Sequence, residues 1–248
     1  MLDYKDKIRE KYKKILFIHG WGVTDKIWIN FAKKFFYLDT CHFLNLYSYI
    51  EGSNGDLKIA AKKVLNDYED VDLIVSWSLG CFLAKEIEKI SKSSTKAIIY
   101  ISYAPTFMKS KEWDFGFEKN TIIKLKKELK NNKEKALKNF YLLIIGQVVN
   151  KKNVYKEIIS NINEMNYVSL KTLNLGLDII QNSNYKDFAT NKKITNLYIY
   201  GDDDNITPKN NIKLLELLST VKVLPCSSHI PFLSNSDEFF KIINEFMY

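Results

Sequence analysis

The ten residues from Leu73 to Phe82, LIVSWSLGCF, restrict the fold more than any other stretch of the chain. Leu73, Ile74 and Val75 are apolar and uninterrupted by charge, as in a parallel strand buried on both faces. Leu83, Ala84, Ile87 and Ile90 then recur at helical spacing. Between strand and helix stands Ser78, with Ser76 two residues before it and Gly80 two residues after. A strand-to-helix turn sharp enough to present a serine hydroxyl requires small residues at both flanks, the pattern G-x-S-x-G. Serine in place of the first glycine keeps the size rule. A serine that merely caps a helix fits the same local pattern, so the rest of the chain has to decide what this turn does.

At 248 residues the chain can bury one large α/β core with an insertion. With 46% hydrophobic and 27% charged residues it is globular rather than disordered. No run approaches the roughly 20 apolar residues of a membrane span, and MLDYKDKIREKYKK is too polar for a secretory leader. A cytoplasmic protein that binds no membrane is expected. Cys41, Cys81 and Cys226 lack C-x-x-C spacing, so neither a disulfide framework nor a metal site is expected, and the three should be reduced core residues.

The strand-like run Lys14–His19 ends at Gly20-Trp21-Gly22. The glycines allow the backbone close to a reacting group. A strand ending in H-G-x-G resembles the loop that supplies half of the oxyanion hole in α/β-hydrolases, which implies the backbone N–H groups of Trp21 and Leu79 as expected oxyanion-hole donors; His19 is read as a histidine bracing the loop. Ile27, Trp28, Phe31, Ala32 and Phe35 mark a helix, Cys41–Tyr49 a strand, Glu51–Gly55 a loop and Leu57–Tyr68 a helix. The elbow follows, and then the buried strand Lys96–Tyr103 closed by Ala104-Pro105. Strands and helices in alternation predict a doubly wound, mostly parallel sheet with its site at the C-terminal strand ends.

From 106 to 190 the strand pattern stops, and helices are expected over 119–130, 133–149, 152–164 and 167–182. This insertion reads as a helical lid on a core of residues 1–105 and 191–248. Periodicity over 133–149 sets Ala136, Phe140 and Leu143 or Ile144 on one face and Lys135 and Lys138 toward the other, so Phe140, Leu143 and Ile144 are expected to line the acyl pocket beneath the lid. Strand pattern returns at Asn196–Gly201, followed by Asp202, Asp203 and Asp204, a helix through Ile212, Leu214, Leu215 and Leu218, and the strand Val221–Leu224. His229 lies just beyond it.

A serine hydroxyl needs a base, and the base an orienting carboxylate. Of three histidines, His229 alone follows both the elbow and a candidate acid. Charge adds a second signal. Residues 119 to 156 carry eleven lysines against Glu128 and Glu134, a local +9 in a chain of net +8. Such a cluster steers an acidic partner. Nucleic acid fits poorly, because the lysines border the apolar FYLLII of 140–145 rather than interleaved aromatics.

HGWG at 19–22, WSLG at 77–80, YGDDDNITP from 200, SHIPF at 228–232 and LNLGLDIIQNSNYKDF from 173 together resemble the pimeloyl-[acyl-carrier protein] methyl ester esterases, α/β-hydrolases of biotin synthesis. The resemblance runs over nearly the whole chain. It implies a catalytic triad of Ser78, Asp204 and His229, the pattern Y-G-x-x-D with Pro208 four residues on selecting Asp204 from the three adjacent acids. It implies an acyl carrier protein bearing a pimeloyl methyl ester as partner; the basic cluster is expected to meet that acidic carrier through Lys135, Lys138, Lys152 and Lys156, and no cofactor and a monomeric enzyme are expected. The D-x-x-G-x-G-x-S loop common after the third strand is absent around Leu46 to Gly55. Two other readings stand beside this one. The first is an esterase, thioesterase or C–C hydrolase acting on a small apolar substrate; the second is an inactive hydrolase-fold binding module.

Overall fold

A computed structural model describes residues 4–91, 95–111, 113, 116–185, 191–207 and 220–248. Pro208 and the helix expected through Ile212 to Leu218 lie outside the described residues, as does the 186–188 end of the LNLGLDIIQNSNYKDF motif.

Among the described residues six parallel strands form one sheet: β1 (Ile15–Ile18), β2 (Cys41–Leu44), β3 (Leu73–Trp77), β4 (Ala97–Ile101), β5 (Thr195–Gly201) and β6 (Thr220–Leu224), in the order β2-β1-β3-β4-β5-β6. Every residue of β1, β3 and β4 is buried, which is why these strands are continuously apolar rather than alternating. Helix α1 (Tyr4–Lys11) precedes β1, and α2 (Ile29–Phe35), α3 (Leu46–Gly52), α4 (Leu57–Asp67) and α5 (Leu79–Ile90) join the first four strands. The strand order reverses between β1 and β3, and ligand crevices open at such a switch point. The turns carrying His19 and Ser78 flank it.

The sequence reading needs several changes, among them that the helices expected over 133–149 and 152–164 end at Ile145 and Ile159. The strand expected over Cys41–Tyr49 ends at Leu44, because the Asn45 side chain accepts from the Ser48 amide at 3.4 Å and starts α3. Residues 46–52 are therefore helical, where a loop was expected from Glu51. Cys226 is exposed on the turn after β6 with φ 53°, whereas Cys41 and Cys81 are buried.

Between β4 and β5 come α6 (Lys119–Asn131), α7 (Lys133–Ile145), α8 (Lys151–Ile159) and α9 (Leu170–Asn182). Asn132 caps α7 by accepting from the Lys135 amide, and Ser169 caps α9 by accepting from Thr172. Gly146, at φ 63°, ends α7. The core also holds a charged pair. Lys85 lies 2.8 Å from Glu88, which accepts from the Tyr100 hydroxyl at 2.7 Å, and its ammonium sits over the Tyr100 ring. Among the described residues no helix is long and apolar enough to cross a membrane.

Candidate active site

Ser78 follows directly on β3 with φ 53° and ψ −119°, a backbone conformation that a residue with a Cβ enters only under strain. The neighbouring strand β4 holds it there. The Ser78 amide donates to Ile101 O at 3.0 Å. The Ser76 hydroxyl donates to Ile99 O at 3.1 Å, so serine at the first small position is buried with its polar group satisfied.

His229, on the loop after β6, has its Nε2 2.9 Å from Ser78 Oγ and its Nδ1 2.9 Å from Asp204 Oδ2. Burial pushes the Asp204 carboxyl up, but the His229 imidazole and the amides of Thr207 and Ile206 outweigh it and hold the carboxyl below its ordinary range. An ionised carboxylate only accepts, so Nδ1 carries the imidazole proton and Nε2 accepts from the serine hydroxyl. The three adjacent acids serve different partners. Asp202 accepts from the Ser227 amide at 3.0 Å, joining the acid loop to the histidine loop, and Asp203 accepts from the Gln147 amide at 3.0 Å, joining it to the end of α7. Only Asp204 is buried.

The 19–22 loop is braced on every side. His19 is fully buried, accepting from the Leu46 amide at 3.0 Å through Nε2 and lying 2.7 Å from Gly20 O through Nδ1. Burial lowers its pKa to about 4, only partly opposed by the Gly20 carbonyl, so it is neutral at pH 7. Tyr47 accepts from the Gly22 amide, and Tyr141 on α7 donates to Gly22 O, both at 2.7 Å. The Trp21 indole donates to Leu173 O on α9 at 2.9 Å. A Cβ on Gly20 would stand 3.1 Å from Ser78 Cβ, which brings this loop against the serine. Among the described residues neither the Trp21 nor the Leu79 backbone amide has a hydrogen-bond partner.

Above Ser78 and His229 lies an apolar cavity of about 20 Å³, lined by Trp21, Phe107, Phe117, Phe140, Ile180 and Ile206. Larger clefts, about 370 Å³ beside Asp56 and Asn182 and about 500 Å³ beside Tyr167, contain none of Ser78, Asp204 and His229. Phe140 meets the Trp21 ring edge-on at 4.8 Å. Ile144 is buried on the same helix but does not reach the cavity. Leu143 does not line it either. It is 42% exposed, because the buried arc of α7 runs through Leu137, Tyr141 and Ile144, and Leu143 stands roughly 100° from its centre. Phe107, Phe117, Ile180 and Ile206 were not anticipated; an aromatic six residues beyond the end of β4 was the available signal for Phe107.

Lys135, Lys152 and Lys156 are exposed, the last two at i, i+4 on one face of α8. Lys138 is half-buried and paired with Glu134 at 2.5 Å. Among the described residues no group of three or more His, Cys, Asp or Glu side chains could hold a metal ion.

The protein resembles, with a TM-score of 0.77 at 17% identity over 95% of its length and 91% of the other's, a bromoperoxidase from Bacillus anthracis. An esterase from Exiguobacterium antarcticum gives a TM-score of 0.76 at 14% identity, with 95% and 91% covered. The chain has the α/β-hydrolase fold. In sequence, the chain is 28% identical over 243 residues to a pimeloyl-[acyl-carrier protein] methyl ester esterase of Wigglesworthia glossinidia brevipalpis, covering 94% of this chain and 93% of that one. A protein of the same name from Pseudoalteromonas atlantica is 25% identical over 234 residues, with 90% and 89% covered. The resemblance carried by the motifs thus extends from end to end. No protein-family model matches the chain.

Proposed function

We propose that this α/β-hydrolase is a serine carboxylesterase that hydrolyses the methyl ester of pimeloyl-acyl carrier protein in biotin synthesis. The observation that carries the reaction class is the hydrogen-bonded run from Ser78 Oγ through the His229 imidazole to a buried, ionised Asp204. The substrate rests on the full-length similarity to relatives bearing that name.

Ser78 Oγ attacks the ester carbonyl as its proton passes to His229 Nε2, while Asp204 stabilises the imidazolium through Nδ1. Charge gathers on the carbonyl oxygen, where the unpartnered amides of Trp21 and Leu79 donate to it. Collapse breaks the bond to the methoxy group, His229 gives that oxygen its proton, and methanol leaves. Water, deprotonated by the same imidazole, then attacks the acyl-serine and regenerates Ser78 with the free carboxylate. Phe140 on α7 lines the acyl side. Residues 106–190 act as the lid on a core of 1–105 and 191–248, and movement of Phe140 admits the chain, since about 20 Å³ holds no more than a water-sized group. Lys135, Lys152 and Lys156 face an acidic carrier, with Lys138 restrained by Glu134. The enzyme acts as a cytoplasmic monomer.

Mass spectrometry of pimeloyl methyl ester carrier protein after incubation tests the substrate directly. Loss of the methyl group with the thioester intact supports it. The small cavity favours one second reading, hydrolysis of a small apolar ester; the carrier substrate left untouched beside rapid p-nitrophenyl acetate turnover would select that reading.

A further inference from the structure

We propose that Trp77 and Ser102 are positioning residues that hold the base His229 by its own backbone carbonyl. This rests on the Ser78–His229–Asp204 reading above. The His229 carbonyl oxygen accepts from Trp77 Nε1 at 2.7 Å and from Ser102 Oγ at 3.0 Å. Both lone pairs of that oxygen are therefore taken by side chains. His229 lies on a loop outside any strand or helix, where no ladder fixes its backbone. The two donors come from the ends of adjacent central strands, where Trp77 pairs in register with Ile101, the residue before Ser102.

Ser102 is itself over-determined. It is fully buried at φ 50°, left-handed for a residue with a Cβ; its amide donates to Ile199 O at 2.9 Å and its carbonyl accepts from the Thr207 hydroxyl at 3.1 Å. The Thr207 amide in turn donates to Asp204 Oδ1 at 2.9 Å. One connected set of bonds thus ties the nucleophile's strand, the base and the acid. Trp77 precedes Ser78 directly, so its indole fixes His229 relative to the strand that carries the attacking oxygen. As plain core, Trp77 would need only its edge-on contact with Phe232 at 5.3 Å and any nearby acceptor. Its acceptor is the base's carbonyl, shared with a strained serine from the next strand.

The test uses the whole protein with p-nitrophenyl acetate and a fluorophosphonate, neither of which depends on the carrier substrate. Trp77→Phe keeps an aromatic ring and removes the donor. Ser102→Gly removes the hydroxyl and relieves the left-handed strain, which offsets the lost buried hydrogen bond in part and keeps the variant folded. Each should lower kcat roughly 10-fold and the pair roughly 100-fold with KM little changed, as expected when a reacting group is misplaced by a fraction of an ångström. The downfield proton resonance of His229 Nδ1–H should weaken or broaden in both. Wild-type kcat and an unchanged resonance in the folded double variant overturn the clamp while leaving the esterase reading intact. A wild type that reacts with neither reagent overturns the triad and the clamp together.

Discussion

A Cβ on Gly80 would stand 2.6 Å from the carbonyl oxygen of His19. The elbow and the 19–22 loop therefore meet backbone to backbone, with no room for a side chain between them. This explains the asymmetry of the S-x-S-x-G pattern: position 76 accepts a hydroxyl that bonds Ile99 O, whereas position 80 accepts nothing. Gly80→Ala should cost about 3 kcal/mol, the upper end of the overpacking range, because backbone oxygens of His19 and Ile18 stand 2.6 and 2.9 Å from the added carbon. Ser76→Ala, which loses one buried hydrogen bond of a group that leaves with it, should cost about 1 kcal/mol. Urea unfolding of the two variants measures both, and equal destabilisation would contradict the close approach.

The three adjacent aspartates are expected to separate sharply in kinetics. Asp204→Asn should lower kcat about 10⁴-fold, since an amide no longer selects the required imidazole tautomer. Asp202→Asn and Asp203→Asn, which anchor the Ser227 and Gln147 amides, should lower it less than about 10-fold while shifting the melting temperature. Steady-state turnover of a p-nitrophenyl ester checks the order. A dominant loss at Asp202 or Asp203 would move the acid.

Reversing charge at Lys135, Lys152 and Lys156 should weaken turnover of the carrier-bound ester, with the deficit shrinking as salt rises. Hydrolysis of p-nitrophenyl acetate should stay unchanged. Lys138 is left out because its ammonium already holds Glu134. Equal losses on both substrates would assign these lysines to the support of α7 and α8.

His19 makes stability depend on pH. Its folded pKa of about 4 lies below the ordinary 6.5, so between those values the unfolded chain holds a proton that the native state refuses. Stability is complete above pH 6.5 and falls as pH drops toward 4. The contribution lost is about 3 kcal/mol at 1.36 kcal/mol per unit. His19→Gln, which takes up no proton, should show a flatter profile in that window, read by urea unfolding at several pH values.

Much of this arrangement was legible because it depends on local pattern. Continuous burial made β1, β3 and β4 readable as apolar runs, and the chain order of Ser78, the acid triplet and His229 followed from where those runs end. The missed features depend on distant partners. Trp77 Nε1 finds its acceptor 152 residues away, which no spacing announces. Phe107 and Phe117 lie in a segment held by isolated bridges such as Met108 to Phe117, without helical or strand period. Leu143 was misassigned because an apolar helix end offers several candidate faces, and packing against the protein chose the one centred near Ile144. Asn45 ended β2 early by capping α3, a competition between strand propensity and a side-chain hydrogen bond that the cap won.

Incubation of wild type and Ser78→Ala with pimeloyl methyl ester carrier protein, followed by mass spectrometry of the carrier, tests the central claim most directly. The wild type should remove the methyl group and spare the thioester, and Ser78→Ala should be slower by several orders of magnitude, about 10⁶-fold where the nucleophile alone is deleted. Undiminished demethylation by Ser78→Ala, or cleavage of the thioester by the wild type with the methyl ester left in place, would contradict it.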